Sequence, residues 1–180
     1  MRRKAWIPAA AGAALLAFVG LSALAVALSP PADQRLLRLF AQGNIAEVQL
    51  GRLAITRSTD PTILTLGARL AQDGSEGVAS LRTVAAMLHV RLPTAPDAVQ
   101  THQIAQLSRL RGAAFDERFE RIAHADESRM LRRFRSATST ARSAAVRDTS
   151  KDMIPPIEAH LRLANGSPIR EAAAATGVMR

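Results

Sequence analysis

Hydrophobic residues between positions 33 and 164 recur at intervals of three and four, the spacing of one face of an α-helix. Stretches that contain proline or glycine separate the helical patterns, and alternating strand patterns are absent from this part of the sequence. The pattern predicts helices over residues 33–57, 61–89, 97–110 and 113–141, and a fifth segment that Pro155 and Pro156 interrupt, with a new start at Pro156.

Residues that favour helix starts support these boundaries. Asp33 and Asp60 are good N-cap residues for the first and second helices, and Pro61 suits the first position of the second helix. Short loops between long amphipathic helices favour antiparallel neighbours. We therefore expect an all-α fold, an up-and-down antiparallel helical bundle.

A basic and then apolar segment precedes the bundle. Arg2, Arg3 and Lys4 are followed by an uncharged run over residues 5–29, which is the pattern of an export signal or a signal anchor. The run exceeds the apolar core of about 7–15 residues that is usual in a cleaved signal, which favours an anchor helix. The small residues of "AVA" at 25–27 favour cleavage instead.

The expected organisation is a signal peptide or anchor over residues 1–30, a bundle domain over 31–166 and a loose tail over 167–180. We expect export in both cases. The body lies outside the cytoplasm on a membrane anchor, or is secreted or periplasmic after cleavage.

Composition narrows the function classes. The chain has no cysteine, so disulfides, thiolate ligands and a cysteine nucleophile are excluded. The formal net charge is +9, and without the three basic residues at the N-terminus it is +6, which suits anionic lipid or cell-wall polymer as a partner. Nucleic acid is not an expected partner, because the body is exported and lacks Tyr and Trp for base stacking.

Three ligand-capable side chains are predicted to point into the bundle, each from a different helix: Glu47, Glu127 and His160. A buried carboxylate or imidazole must be paired, protonated or bound to metal. One interpretation is a site for a divalent metal or iron, since bundle cores hold metals in this way. The other is an internal ion pair that sets the register of the helices. His124 projects away from the apolar stripe and is expected at the surface.

Arginines cluster on the outer face of the predicted fourth helix, partly balanced by Asp116, Glu117 and Glu120. They are either a solvated face or a docking surface for anionic lipid or cell-wall polymer. This arginine face comprises Arg118, Arg121, Arg129, Arg132 and Arg135. The sequence has no phosphate-binding loop, nucleophile elbow, zinc-protease helix or calcium loop.

Four stretches resemble the bacterial exported family "domain of unknown function 4142", in the same order over residues 33–164. They are FAQGNIAEVQLGRLAITRSTDPTILTLGARLAQD at 40–73, VRLP at 90–93, GAAFDERF at 112–119 and IPPIEAHLRLA at 154–164. The resemblance implies a ferritin-like four-helix bundle behind a signal peptide or anchor, without a settled biochemical activity.

Two positions depart from the pattern of that family. Where its members carry histidines, this chain has Gly74 and Glu127, whereas Glu47 and His160 match. A ferritin-type site needs about four carboxylates and two histidines, so the ligand set here is reduced. We therefore expect a non-enzymatic exported bundle without a cofactor that acts at the cell envelope through surface interactions. The alternative is a ferritin-like metal-binding protein or oxidoreductase.

Overall fold

The computed structural model describes residues 29–165, and this part of the chain is all-helical, which confirms the all-α part of the predicted fold. Its helices are α1 (Pro31–Arg57), α2 (Pro61–Met87), α3 (Ala98–Leu107), α4 (Gly112–Thr140), α5 (Ala144–Asp152) and α6 (Ile154–Asn165). Each helix within residues 29–165 is too short or too polar for a membrane span. The predicted signal or anchor, up to residue 28, and the predicted tail at 167–180 lie outside the described residues.

The start of α2 follows the prediction, whereas the start of α1 does not. Oδ1 of Asp60 accepts hydrogen bonds from the backbone N–H groups of Thr62 (2.8 Å) and Ile63 (3.1 Å), as an N-cap does. Helix α1 begins two residues before Asp33, and its N-cap Pro30 makes no side-chain cap bond. The prediction that Asp33 is the N-cap of α1 was therefore wrong.

Asp33 instead joins the first helix to a distant part of the chain. Its carboxylate is fully buried and accepts hydrogen bonds from the backbone N–H groups of Arg142 (3.1 Å) and Ser143 (2.7 Å). Ser143 is the N-cap residue of α5 and makes no side-chain cap bond of its own. The carboxylate therefore satisfies donors at the start of α5 from across the bundle.

Helices α1 and α2 form an antiparallel pair with a glycine-lined contact. A Cβ atom added to Gly51 would lie 2.3 Å from the carbonyl oxygen of Gly67, and one added to Gly77 would lie 1.9 Å from Oδ1 of Asn44. A Cβ at Gly74 would lie 2.9 Å from the carbonyl oxygen of Asn44. These glycines lower intrinsic helix propensity, but they let the two helices approach more closely than any larger residue allows.

The hydrophobic core is divided into two clusters along the bundle axis. One contains the stacked rings of Phe40 and Phe134, whose centroids are 4.0 Å apart. The other contains Phe115 and Phe119, with centroids 5.9 Å apart. Helices α1, α2, α4 and α6 each contribute to both clusters. Each of these helices therefore crosses from one apolar cluster to the other.

Candidate functional site

A layer of polar side chains separates the two apolar clusters, with one residue from each of four helices. It consists of Glu47 from α1, Asp73 from α2, Glu127 from α4 and His160 from α6. In α1, for example, Glu47 lies between Phe40 of one cluster and Leu50 of the other. We call these four residues the polar layer. It contains all three of the inward residues that the sequence predicted, and adds Asp73.

His160 is the centre of the polar layer. Its side chain is 1% exposed, so both ring nitrogens must find partners inside the protein. Nε2 lies 2.8 Å from Oδ2 of Asp73, and Nδ1 lies 3.2 Å from Oε2 of Glu127. Carboxyl groups from two other helices therefore occupy both nitrogens of the ring.

The two glutamates of the polar layer favour their protonated forms. The pKa of Glu127 is raised from its usual value near 4.5 to about 8, chiefly by burial and in addition by nearby Asp126 and Asp73, whereas a hydrogen bond with Glu47 opposes the rise. Burial also raises the pKa of Glu47 well above 4.5. The second-largest cause of this rise is repulsion from the charge of Glu127. Burial therefore favours the protonated form of both side chains.

These protons define a directed chain of hydrogen bonds. The Glu47 carboxyl donates to Glu127, and the protonated Glu127 donates to Nδ1 of His160. With Nδ1 accepting this bond, the ring carries a proton on Nε2 and donates it in a hydrogen bond to Oδ2 of Asp73. Asp73, at the end of this chain, is the only one of the four residues with substantial exposure (21% of its side chain).

The polar layer borders an open cleft on one side and a small space on the other. Asp73 and His160 line an open cleft of about 670 Å³ between α2 and α6. On the other side, Glu47 borders a space of about 10 Å³, which holds roughly one water molecule. Asp126 and Arg129, which form an ion pair, border the same space. The layer therefore meets solvent through the cleft beside Asp73, whereas the space beside Glu47 has room for about one water molecule.

The metal prediction can be compared with the arrangement of the possible ligand atoms in the polar layer. Within residues 29–165, no group of three or more His, Cys, Asp and Glu side chains is arranged to hold a metal ion. The predicted ligands Glu47, Glu127 and His160 are brought together, but they bond to one another. Nor does Gly74 leave room for a larger ligand side chain at that position, since its Cβ would also lie 3.1 Å from Cβ of Glu47. The metal site stays a prediction.

Sequence reasoning missed two members of this region. Asp73 directly precedes Gly74, which lies on the inner stripe of α2, so its proximity to that stripe was the only available signal. Asp126 directly precedes Glu127 and is likewise buried. Burial raises the pKa of Asp126, and its partner Arg129 lowers it. Neither acid has a distinctive sequence motif.

The arginine face is largely occupied by ion pairs. Arg121 pairs with Glu117 and Arg129 with Asp126, both within α4. Arg135 reaches Glu158 of α6, with Nη2 2.7 Å from Oε1. The other two predicted members, Arg118 and Arg132, are half-buried and exposed, respectively. Docking to anionic lipid or polymer stays a prediction, and the pairs reduce the charge that is available for it.

Two acids and one histidine lie differently from the sequence prediction. Asp116 and Glu120 were expected on the outer face of α4, yet they are 7% and 2% exposed. His124 was expected at the surface and is half-buried. The cause is that α4 contacts α1, α3, α5 and α6, so more than one of its faces is covered.

Comparison with known proteins gives two solved structures of the same fold. A DUF305 fragment from Deinococcus radiodurans is 14% identical, with a TM-score of 0.67 over 77% of this chain and 96% of that chain. A DUF305 protein from Streptomyces coelicolor, inferred to be secreted, is 12% identical, with a TM-score of 0.64 over 81% of this chain and 94% of that chain. Identities this low establish the fold alone.

The sequence itself establishes the family. No curated protein matches the chain. Residues 21–166 match the family described as "Domain of unknown function (DUF4142)", and this match covers most of the chain. It includes every helix of the bundle and all four residues of the polar layer. The chain therefore belongs to the DUF4142 family.

Proposed function

We propose that this chain is a non-enzymatic, exported helical-bundle protein that acts at the cell envelope through its surface. In this proposal the polar layer holds protons and fixes the register of the four helices, and it binds no metal. Export is supported by the basic and apolar N-terminal sequence and by the likeness to a protein that is inferred to be secreted.

The observation that carries the proposal is the double engagement of His160. A histidine binds a metal through the lone pair of a ring nitrogen, and here both ring nitrogens of His160 are engaged by carboxyl groups, Nδ1 by Glu127 and Nε2 by Asp73. A protonated carboxyl group is likewise a poor ligand, and both glutamates favour that form. The polar layer therefore satisfies its own hydrogen-bonding groups at neutral pH.

Metal analysis of the full chain, purified without chelator at neutral pH, tests this proposal. We expect iron, manganese and zinc well below one ion per chain, with the same content in His160→Gln. The matched control is His102→Gln, which removes an exposed histidine of α3. One ion per chain, retained in the control and lost in both His160→Gln and the more conservative Glu127→Gln, would overturn the proposal.

A second candidate is a ferritin-like metal-binding protein or oxidoreductase with a reduced ligand set. The observation that favours it is that four ligand-capable side chains meet from four helices, as they do in carboxylate-bridged sites of bundles. A metal would have to displace the protons of Glu47 and Glu127, so its affinity should rise with pH. Calorimetry with Mn²⁺ or Zn²⁺ at pH 6 and pH 9 tests it. Proton-releasing binding at pH 9 supports this candidate, and absence of binding at both pH values removes it.

A further inference from the structure

The open cleft between α2 and α6 is a concave surface that the proposed function leaves without a role. Its volume of about 670 Å³ lies within the range of roughly 300–1,000 Å³ that is usual for small-molecule sites. Pro156, Ala159 and Leu163 of α6 provide apolar lining. Such walls suit a compound with an apolar body.

Two arginines without partners line this cleft, Arg69 from α2 and Arg162 from α6. Both are exposed, and neither forms an ion pair or a hydrogen bond with another side chain of residues 29–165. Three members of the arginine face, by contrast, are paired with acids. The two guanidinium groups at the cleft are therefore available for an external anion.

The charge of the cleft is positive in spite of the acid that lines it. Asp73 is the one carboxylate among the lining residues, and it accepts a hydrogen bond from Nε2 of His160. That bond disperses part of its negative charge and holds it against the histidine. Two arginines face one carboxylate, which leaves an excess of positive charge in the cleft.

We propose that this cleft binds a small organic oxyanion, a carboxylate or a phosphate monoester that carries an apolar body. Arg69 and Arg162 hold the oxyanion from the two helices through charge-assisted hydrogen bonds. The apolar body packs against Pro156 and Leu163. This site goes beyond the proposed surface function, because it names a binding place and a ligand class, and it does not depend on whether the polar layer holds a metal.

Binding of benzoate and of phenyl phosphate to the full chain tests the proposal, measured by calorimetry and by amide NMR shifts. We expect saturable binding of one molecule per chain by at least one of them, with shifts at residues of α2 and α6 that line the cleft. Neutral benzamide and inorganic phosphate should each bind at least tenfold more weakly, since one lacks the charge and the other the apolar body. The preference between benzoate and phenyl phosphate identifies the oxyanion.

Paired substitutions locate the site. Arg69→Gln with Arg162→Gln should weaken binding at least tenfold. Arg52→Gln with Arg82→Gln should leave binding unchanged. This control removes the same charge from a separate cleft of about 380 Å³ between α1 and α2. No saturable binding, equal losses in the two double variants, or equal affinity for benzamide would each overturn the proposal. The metal content is measured separately, so failure here leaves the proposed function standing.

Discussion

The buried glutamates of the polar layer hold protons that an exposed glutamate releases well below neutral pH. Desolvation is the main cause of the raised pKa of both glutamates, because an ionised carboxylate loses its hydration when it is buried. Between pH 4.5 and about 8 the folded state therefore binds more protons at Glu127 than the unfolded state does. Stability from this group is present at low pH and is lost as the pH rises through the folded pKa.

We predict that the free energy of unfolding falls more steeply with pH in the natural chain than in Glu127→Gln. The slope that this proton adds is up to about 1.4 kcal/mol per pH unit. Urea unfolding at pH 5, 6.5 and 8 measures it, and glutamine preserves the shape and a donor for His160. Glu117→Gln, at an exposed pair, should keep the natural slope. Identical slopes in all three chains would contradict the prediction.

At the scale of helices, the glycines between α1 and α2 determine how closely the two helices pack and how the polar layer is closed. Glu47 lies directly opposite Gly74, with its Cβ 3.1 Å from the position a Cβ would take there. Any side chain at these glycines must push the helices apart or displace Asn44. Packing therefore outweighs the helix propensity that the glycines lose.

Gly77→Ala tests this packing directly. Alanine gains about 1 kcal/mol of helix propensity, but its Cβ would lie 1.9 Å from Oδ1 of Asn44, so we expect a net loss of roughly 1–3 kcal/mol. Denaturant unfolding measures the change. Ala68→Gly, at an exposed position of the same helix, should lower the free energy of unfolding by only about 1 kcal/mol. This control measures the effect of helix propensity alone. A gain of stability in Gly77→Ala would contradict the prediction that packing outweighs helix propensity at this position.

At the scale of the whole molecule, Asp33 connects the first helix to the start of α5 across a separation of 110 residues. Asp33→Ala leaves two backbone N–H groups without a carboxylate, so we expect a loss of roughly 2–4 kcal/mol in the free energy of unfolding. Asp148→Ala removes an exposed carboxylate paired with Lys151 and should change it by less than about 1 kcal/mol. Equal changes in the free energy of unfolding for the two substitutions would show that the bonds of Asp33 to the start of α5 do not stabilise the fold.

The local features of the fold could be predicted from the sequence, and the contacts between distant elements could not. Helical periodicity, the Asp60 cap and the break at Pro155 and Pro156 depend on neighbouring residues, so the sequence located them within a few positions. The role of Asp33 depends on α5, and that of Asp73 depends on α6. Periodicity indicates which face is buried, but not which helix covers it.

In the candidate site, too, some features could be predicted from the sequence and others could not. Glu47, Glu127 and His160 could be predicted as inward residues because each interrupts an apolar stripe. Their mutual bonding and the protons they hold required the arrangement of four helices. The unpaired arginines at the cleft could not be distinguished in sequence from the paired ones of α4.

The central claim, that the polar layer holds protons and not a metal, is tested most directly by the side-chain carboxyl ¹³C signal of Glu127. It should be followed from pH 5 to pH 10 in the full chain purified without chelator. We predict a protonated carboxyl at neutral pH and a titration midpoint at about 8. A Glu127 that is already ionised at pH 6, as expected for a carboxylate bound to a cation, would contradict the account.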